Sequence, residues 1–199
     1  MTSYKFKVLS LKRREDRRKL FNQRFSNYNY EYFYGLDGRE YSLSDYDKWW
    51  IKGNQYKKFG IHIPSLVCAN KSHMIMLYNC ISDNIPYIIF EDDTEIIKPI
   101  DFDFEDITKK DLDVFWLMPN NPSILCYIVW PSGAKKLTQS VEKEGGLKKG
   151  LDEVWHKLKN RKYLKEEQLH DKYFYQRMGS PDSDITECLD YKPSTKTII

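Results

Sequence analysis

The stretch Asn84-Ile-Pro-Tyr-Ile-Ile-Phe90, followed at once by Glu91-Asp-Asp93, constrains this chain more than any other. Ile85, Tyr87, Ile88, Ile89 and Phe90 form an apolar run of β-branched and aromatic residues. Such a run is predicted to be a strand buried on both faces, in the middle of an α/β sheet. Three carboxylates at the end of a buried strand repel one another and lose hydration, so they require a neutralising partner. A divalent cation suits them, because Mg²⁺ and Mn²⁺ prefer oxygen ligands and leave positions open for substrate phosphates. On a strand that stays extended, Glu91 and Asp93 share a face and Asp92 points the other way. The competing reading is a solvated turn after a core strand.

Strands alternating with helices run through the rest of the chain. Tyr4–Leu11 alternates and then turns apolar, as a first strand does, and it runs into Lys12-Arg-Arg-Glu-Asp-Arg-Arg18. A helix then begins, with Leu20, Phe21 and Phe25 at helical spacing. Arg13, Arg14 and Arg17 therefore sit beyond the carboxyl end of a strand, where α/β sheets bind ligands. Guanidinium groups there suit forked phosphate contacts, although a charged, solvated helix start explains them as well. Asn29–Tyr34 reads as a second strand, closed by Gly35-Leu-Asp-Gly38. The two glycines permit a tight turn, and Asp37 can accept hydrogen bonds from a ribose or base.

Residues 39–63 show no period and read as a loop-rich insertion. A helix follows from Pro64, with His73 close to its apolar stripe; a lone histidine there is more often hydrogen-bonded in the core than a ligand. The segment from Asp101 to Asp113 reads as an acidic connector. Val114–Met118 and Ile124–Trp130 read as further strands, and Ser132 as the N-cap of the next helix. Gly145, Gly146 and Gly150 bracket a hinge before a helix around Leu151–Leu158. Tyr173–Tyr175 makes a last short strand, and residues 188–199 a loosely ordered tail. The whole predicts one α/β domain over residues 1–199, with a mixed, mainly parallel central sheet flanked by helices. No GxGxxG or P-loop spacing is present, which removes the usual dinucleotide and kinase readings.

The net charge of +3 favours anionic ligands without demanding nucleic acid. The apolar runs are too short to span a bilayer, so the sequence predicts a cytoplasmic protein. The four cysteines show no CxxC spacing and read as reduced thiols.

Taken together, these pieces resemble glycosyltransferase family 25, the lipooligosaccharide-biosynthesis type. The resemblance runs from Val8–Arg17 through the Phe33–Gly38 turn to Cys68-Ala-Asn-Lys-Ser-His73. It continues through Glu91-Asp-Asp93, Tyr127 with Gly133-Ala-Lys-Lys-Leu137, and Ser183-Asp-Ile185. It departs from the family where Val67 stands for a glycine and one extra residue separates Cys68 from Ser72-His73. The family implies a GT-A-like domain with Mn²⁺ or Mg²⁺ at the acidic motif. It also implies inverting transfer from a nucleotide sugar, commonly UDP-galactose, to a hydroxyl.

On that basis Glu91 and Asp93 hold the metal, while Arg13, Arg14, Arg17, Asp37, Ser72, His73 and Asp92 form the donor site. The expected acceptor is a glycan. A phage-type transfer to hydroxymethylated bases in DNA is the alternative, and a non-catalytic module binding nucleotide sugar or glycan is the reading from another class. Inversion needs a general base that is not a metal ligand. Asp152, His170 and Asp184 are the candidates, with Asp152 preferred and Asp184 second.

Overall fold

The structure is a computed structural model that describes residues 4–42, 63–119, 123–143, 151–160 and 162–176. The first strand, β1 (Lys5–Ser10), leads into α1 (Glu15–Arg24), whose first turn carries Glu15 and Asp16 against the positive end of the helix dipole. The chain continues through β2 (Glu31–Tyr34), α2 (Ile63–Asp83) and β3 (Tyr87–Glu91). After β3 come β4 (Thr94–Ile96), α3 (Phe104–Thr108), β5 (Val114–Trp116) and β6 (Cys126–Val129). The remaining elements are α4 (Pro131–Lys143), α5 (Leu151–Asn160), β7 (Glu166–Gln168) and β8 (Phe174–Gln176).

Six strands form the central sheet in the order β2-β1-β3-β6-β5-β7, and β4 pairs with β8 outside it. The pairings β2-β1, β1-β3 and β5-β7 are parallel, while β3-β6 and β6-β5 are antiparallel. The mixed, mostly parallel sheet read from the sequence is thus the one present.

The strand Tyr87–Glu91 lies at the middle of the sheet, and Tyr87 through Phe90 are all buried. Tyr87 and Ile89 face a layer with Leu77, Trp116, Tyr127, Leu137 and Trp155, beneath α2, α4 and α5. Ile88 and Phe90 face an aromatic layer with Phe6, Phe21, Phe25, Phe104 and Phe174. Within that layer Phe21 and Phe25, one helical turn apart, stack at 4.2 Å. Each such ring taken from water stabilises the fold by about 1.5–3 kcal/mol. Both faces being apolar explains why the run shows no alternation.

Four sequence expectations change. The acidic connector over 101–113 contains α3, capped by Asp103, whose Oδ1 accepts from the Glu105 N–H at 2.8 Å. Two short strands, β4 and β7, were not expected; both are three residues long and polar in part, so neither has a period to read. Ser132 is not an N-cap, because α4 already begins at Pro131, a residue suited to the first helical position. The shared face expected for Glu91 and Asp93 does not form. The strand ends at Glu91, Asp92 and Asp93 make a turn, and Thr94 Oγ1 closes it onto the Glu91 carbonyl at 2.7 Å.

The buried thiols Cys68, Cys80 and Cys126 are free, as expected. The insertion over 43–62, the hinge glycines, Asp184 and the tail lie outside the described residues. Among the described residues no helix is long and apolar enough to cross a membrane.

Candidate active site

After β1 the chain crosses to β2 on one side, and β3 lies on the other side of β1. In α/β sheets this reversal opens a crevice beyond the strands' carboxyl ends. A cleft of about 640 Å³, counted to its open mouth, lies here. Its floor is the end of β1 (Leu9, Ser10, Leu11) and the acidic turn Glu91, Asp92 and Asp93. Arg17, Leu36 and Gly38, three residues of α2 (Ser65, Ala69, Ser72) and Gln176 complete the wall.

The three carboxylates have different surroundings. Glu91 points to the α2 side, where its Oε1 lies 3.0 Å from Nε2 of His73. Asp92 is buried, and its Oδ1 accepts from Arg17 Nη1 at 3.3 Å. Asp93 lies 3.7 Å from the same guanidinium, with Gln176 Nε2 at 3.5 Å. Burial holds the Asp92 carboxyl above its ordinary range, although Ser10 and Arg17 pull it down. Burial and the charges of Glu91 and Asp92 push Asp93 up to about 7, against the pull of Arg17 and Gln176. Among the described residues, Asp92 Oδ2 and Asp93 Oδ1 are buried without a hydrogen-bond partner.

The other predicted site residues are placed as follows. Arg13 Nε donates to Asp37 Oδ2 at 2.5 Å, and Asp37 Oδ1 accepts from the Arg39 N–H at 3.0 Å. Asp37 therefore shapes the turn after β2 and is engaged by Arg13. Arg14 is buried and forks onto Asp16 at 3.0 and 2.8 Å, away from the cleft lining. Arg17 is the arginine that faces the acidic turn.

Ser72 lines the cleft, and its hydroxyl also ties two elements together. It donates to the Cys68 carbonyl at 2.7 Å and accepts from the Leu36 N–H at 2.9 Å. His73 is fully buried behind Glu91, as a core histidine would be, yet it is bonded to a cleft carboxylate. Asp152 is exposed near the start of α5 and does not line the cleft. The preceding Leu151 N–H bonds to Asn70 Oδ1 at 3.3 Å, next to Ala69 in the cleft wall. His170 is exposed just after β7.

The glycines of the 35–38 turn matter for a different reason than expected. A Cβ on Gly38 would lie 2.3 Å from Ser65 backbone atoms, and one on Gly35 would lie 2.7 Å from Leu9 Cδ1. Close approach of α2 requires them, and that brings Ser65, Ala69 and Ser72 to the cleft. The sequence reading missed Ser10, Leu36, Ser65, Ala69 and Gln176 as lining residues. Ser10 and Gln176 are strand-end positions, which was the available signal; the α2 residues became visible only with the packing.

The residues fit a hard cation in a particular form. Among the described residues no three His, Cys, Asp or Glu side chains converge to hold a metal ion by themselves. Magnesium-type sites, however, take one or two carboxylates and complete the shell with water and substrate phosphate. The oxygens of Asp92 and Asp93 that have no partner among the described residues meet that requirement, and Glu91 lines the same cleft.

The fold is an α/β domain with an open cleft at the switch point of its sheet. The sequence matches the family model described as glycosyltransferase family 25 (LPS biosynthesis protein) over residues 4–117, and the chain belongs to that family. It is accordingly a glycosyltransferase. Comparison with curated proteins gave no significant match.

Proposed function

We propose that the protein is a metal-dependent, inverting hexosyltransferase that takes its sugar from a nucleotide donor, a UDP-hexose, and delivers it to a glycan hydroxyl. One observation carries this reading. At the carboxyl end of the central strand, buried Asp92 and half-buried Asp93 each keep a buried oxygen with no partner among the described residues, beside a guanidinium and inside an open cleft. Such an arrangement is costly for folding alone and suits a ligand that brings both a cation and phosphates.

Asp92 and Asp93 would hold the cation, with Glu91 contributing its second oxygen. When bound, a divalent cation supplies positive charge against the departing diphosphate. Arg17 lies against the same turn and forks onto phosphate oxygens as the donor enters. Leu9, Leu11, Leu36 and Ala69 offer an apolar wall for the nucleoside end.

The acceptor oxygen forms its bond to the anomeric carbon as the bond to the diphosphate breaks, and that electron pair leaves on the phosphate oxygen. The acceptor proton passes to a carboxylate; the residue preferred on sequence, Asp152, lies outside the cleft lining, on a helix tied to α2 beside the cleft, and would have to reach an acceptor bound over the cleft mouth. A base of this kind contributes about a hundredfold or more.

The test is hydrolysis of UDP-, GDP- and CMP-sugars with Mn²⁺, with and without EDTA. Turnover of a UDP-hexose that stops on chelation is the expected result. Full turnover in EDTA would remove the metal from the reading, and turnover of CMP- or GDP-sugars alone would replace the donor.

A further inference from the structure

The buried side of Glu91 contains a feature that donor binding alone does not explain. His73 has no exposed surface, and both of its ring nitrogens are engaged. Nε2 lies 3.0 Å from Glu91 Oε1, and Nδ1 lies 3.1 Å from the hydroxyl of Tyr127. Tyr127 is on β6, opposite Ile89 in the antiparallel register, so it faces the α2 side as Glu91 does. Its ring is also wholly buried, at 5.0 Å edge-on to Trp155 and 6.3 Å from Trp116. Two tryptophans and the imidazole thus leave the phenol one place to be.

The chain of donors and acceptors has a direction. Burial, with the nearby Glu91 charge, raises the Tyr127 phenol well above its usual range, so it remains an O–H. A carboxylate oxygen only accepts. The assignment that satisfies all three groups has the Tyr127 O–H donating to Nδ1 and the Nε2–H donating to Glu91. Glu91, a residue of the cleft lining, is then anchored through Oε1 by the Nε2–H. Partners of this kind fix a ligating carboxylate's orientation and are worth roughly tenfold to a hundredfold in affinity or rate.

We infer that Tyr127 and His73 are positioning residues, a buried relay that holds the Glu91 carboxylate in its working orientation in the cleft. The inference rests on the reading of Glu91 as a working carboxylate. Neither side chain touches donor or acceptor; both act through Glu91.

The test uses the full chain and the donor identified by the hydrolysis screen. Tyr127→Phe removes one hydroxyl and keeps the ring; it leaves the buried Nδ1 without that donor, so the melting temperature falls by a few degrees while the fold is kept. Its kcat is expected to fall about tenfold, with the donor KM within about twofold. His73→Gln places an amide N–H where Nε2–H stood and should recover most of the activity that His73→Leu loses. A role in packing alone would not separate Gln from Leu in this way.

Independently of turnover, the imidazole ¹⁵N shifts of His73 should report the Nε2–H tautomer in the wild type. They should report a mixture of tautomers in Tyr127→Phe. An Nδ1–H tautomer in the wild type overturns the relay. An inactive Glu91→Gln alongside fully active Tyr127→Phe and His73→Leu overturns the relay alone. A fully active Glu91→Gln overturns the reading of Glu91, and the relay with it.

Discussion

Buried aspartates occur at both ends of the sheet, and the two ends are treated differently. Asp113 lies just before β5, whose start is at the end of the sheet opposite the cleft. Its Oδ2 is 2.5 Å from Lys136 Nζ and accepts from the Lys165 N–H at 2.8 Å. Desolvation pushes the Asp113 carboxyl up, but Lys136, the Lys165 N–H and Ser132 together bring it below its ordinary value. Asp92 and Asp93, at the cleft end, share one guanidinium, keep two oxygens without a partner among the described residues and are held above their ordinary values. A carboxylate whose partners are complete ties β5, α4 and the start of β7 together. One whose partners are incomplete among the described residues leaves an oxygen for the ligand proposed above.

The comparison can be broken most forcefully at Asp93. Asp93→Asn should reduce glycosyl transfer by more than about a hundredfold, read as product formed with the donor of the hydrolysis screen. The same change should raise the melting temperature in metal-free buffer at pH 8. In the folded protein Asp93 titrates at about 7, whereas an unfolded aspartate titrates near about 4. The folded state therefore keeps a proton that the unfolded chain gives up. Its stability falls as pH rises through that window, and the asparagine removes this loss. The gain should shrink toward pH 4; an equal gain at pH 4 and pH 8 would contradict it.

Asp152→Asn comes next, with kcat down by about a hundredfold and UDP affinity by calorimetry unchanged. Near-normal kcat would move the base elsewhere.

At the other end, Asp113→Asn should leave kcat untouched and cost about 2 kcal/mol at pH 7. That figure is reduced from the usual range for a buried pair because Lys136 is 35% exposed. The expected fall in melting temperature is about 4–8 °C for a chain of this size. Since the folded Asp113 pKa is depressed, its contribution is present above about pH 4 and lost as pH falls through the folded value. Wild type and variant should then converge in acid.

The smallest effect sharpens the contrast. Arg17→Ala should raise the donor KM about tenfold with little change in kcat, while Arg14→Ala, away from the cleft lining, should leave KM alone.

Much of this was legible because the carrying signals were local. Tyr87–Phe90 is apolar on both faces and Glu91–Asp93 follows without a gap, so the strand and its acidic end were read together. The helices with Phe21 and Phe25, and with Leu151, Val154, Trp155 and Leu158, declare themselves by spacing. What was not legible depends on distant partners. No local pattern pairs Arg17 with Asp92 or Tyr127 with His73, and only packing of β6 against β3 and α2 brings the latter together. The Asp103 cap was present as an Asp followed by Phe-Glu-Asp, but the surrounding acidity masked it as solvated connector. Gly133 has a reason no sequence discloses: a Cβ there would lie 1.9 Å from the Asp113 carbonyl oxygen.

The pairing of β4 with β8 bears on how the cleft comes into being as the chain is made. Asp93 and Gln176 are 83 residues apart, and Thr94, next to the acidic turn, pairs with Gln176 itself. A ribosome delivers the acidic turn, Arg17 and the whole of α2 well before the strand that braces them. Contacts this remote are closed late and slowly, since the intervening chain has to be ordered first. The acidic turn therefore gains its brace only once the segment around Gln176 has been made, long after the turn itself.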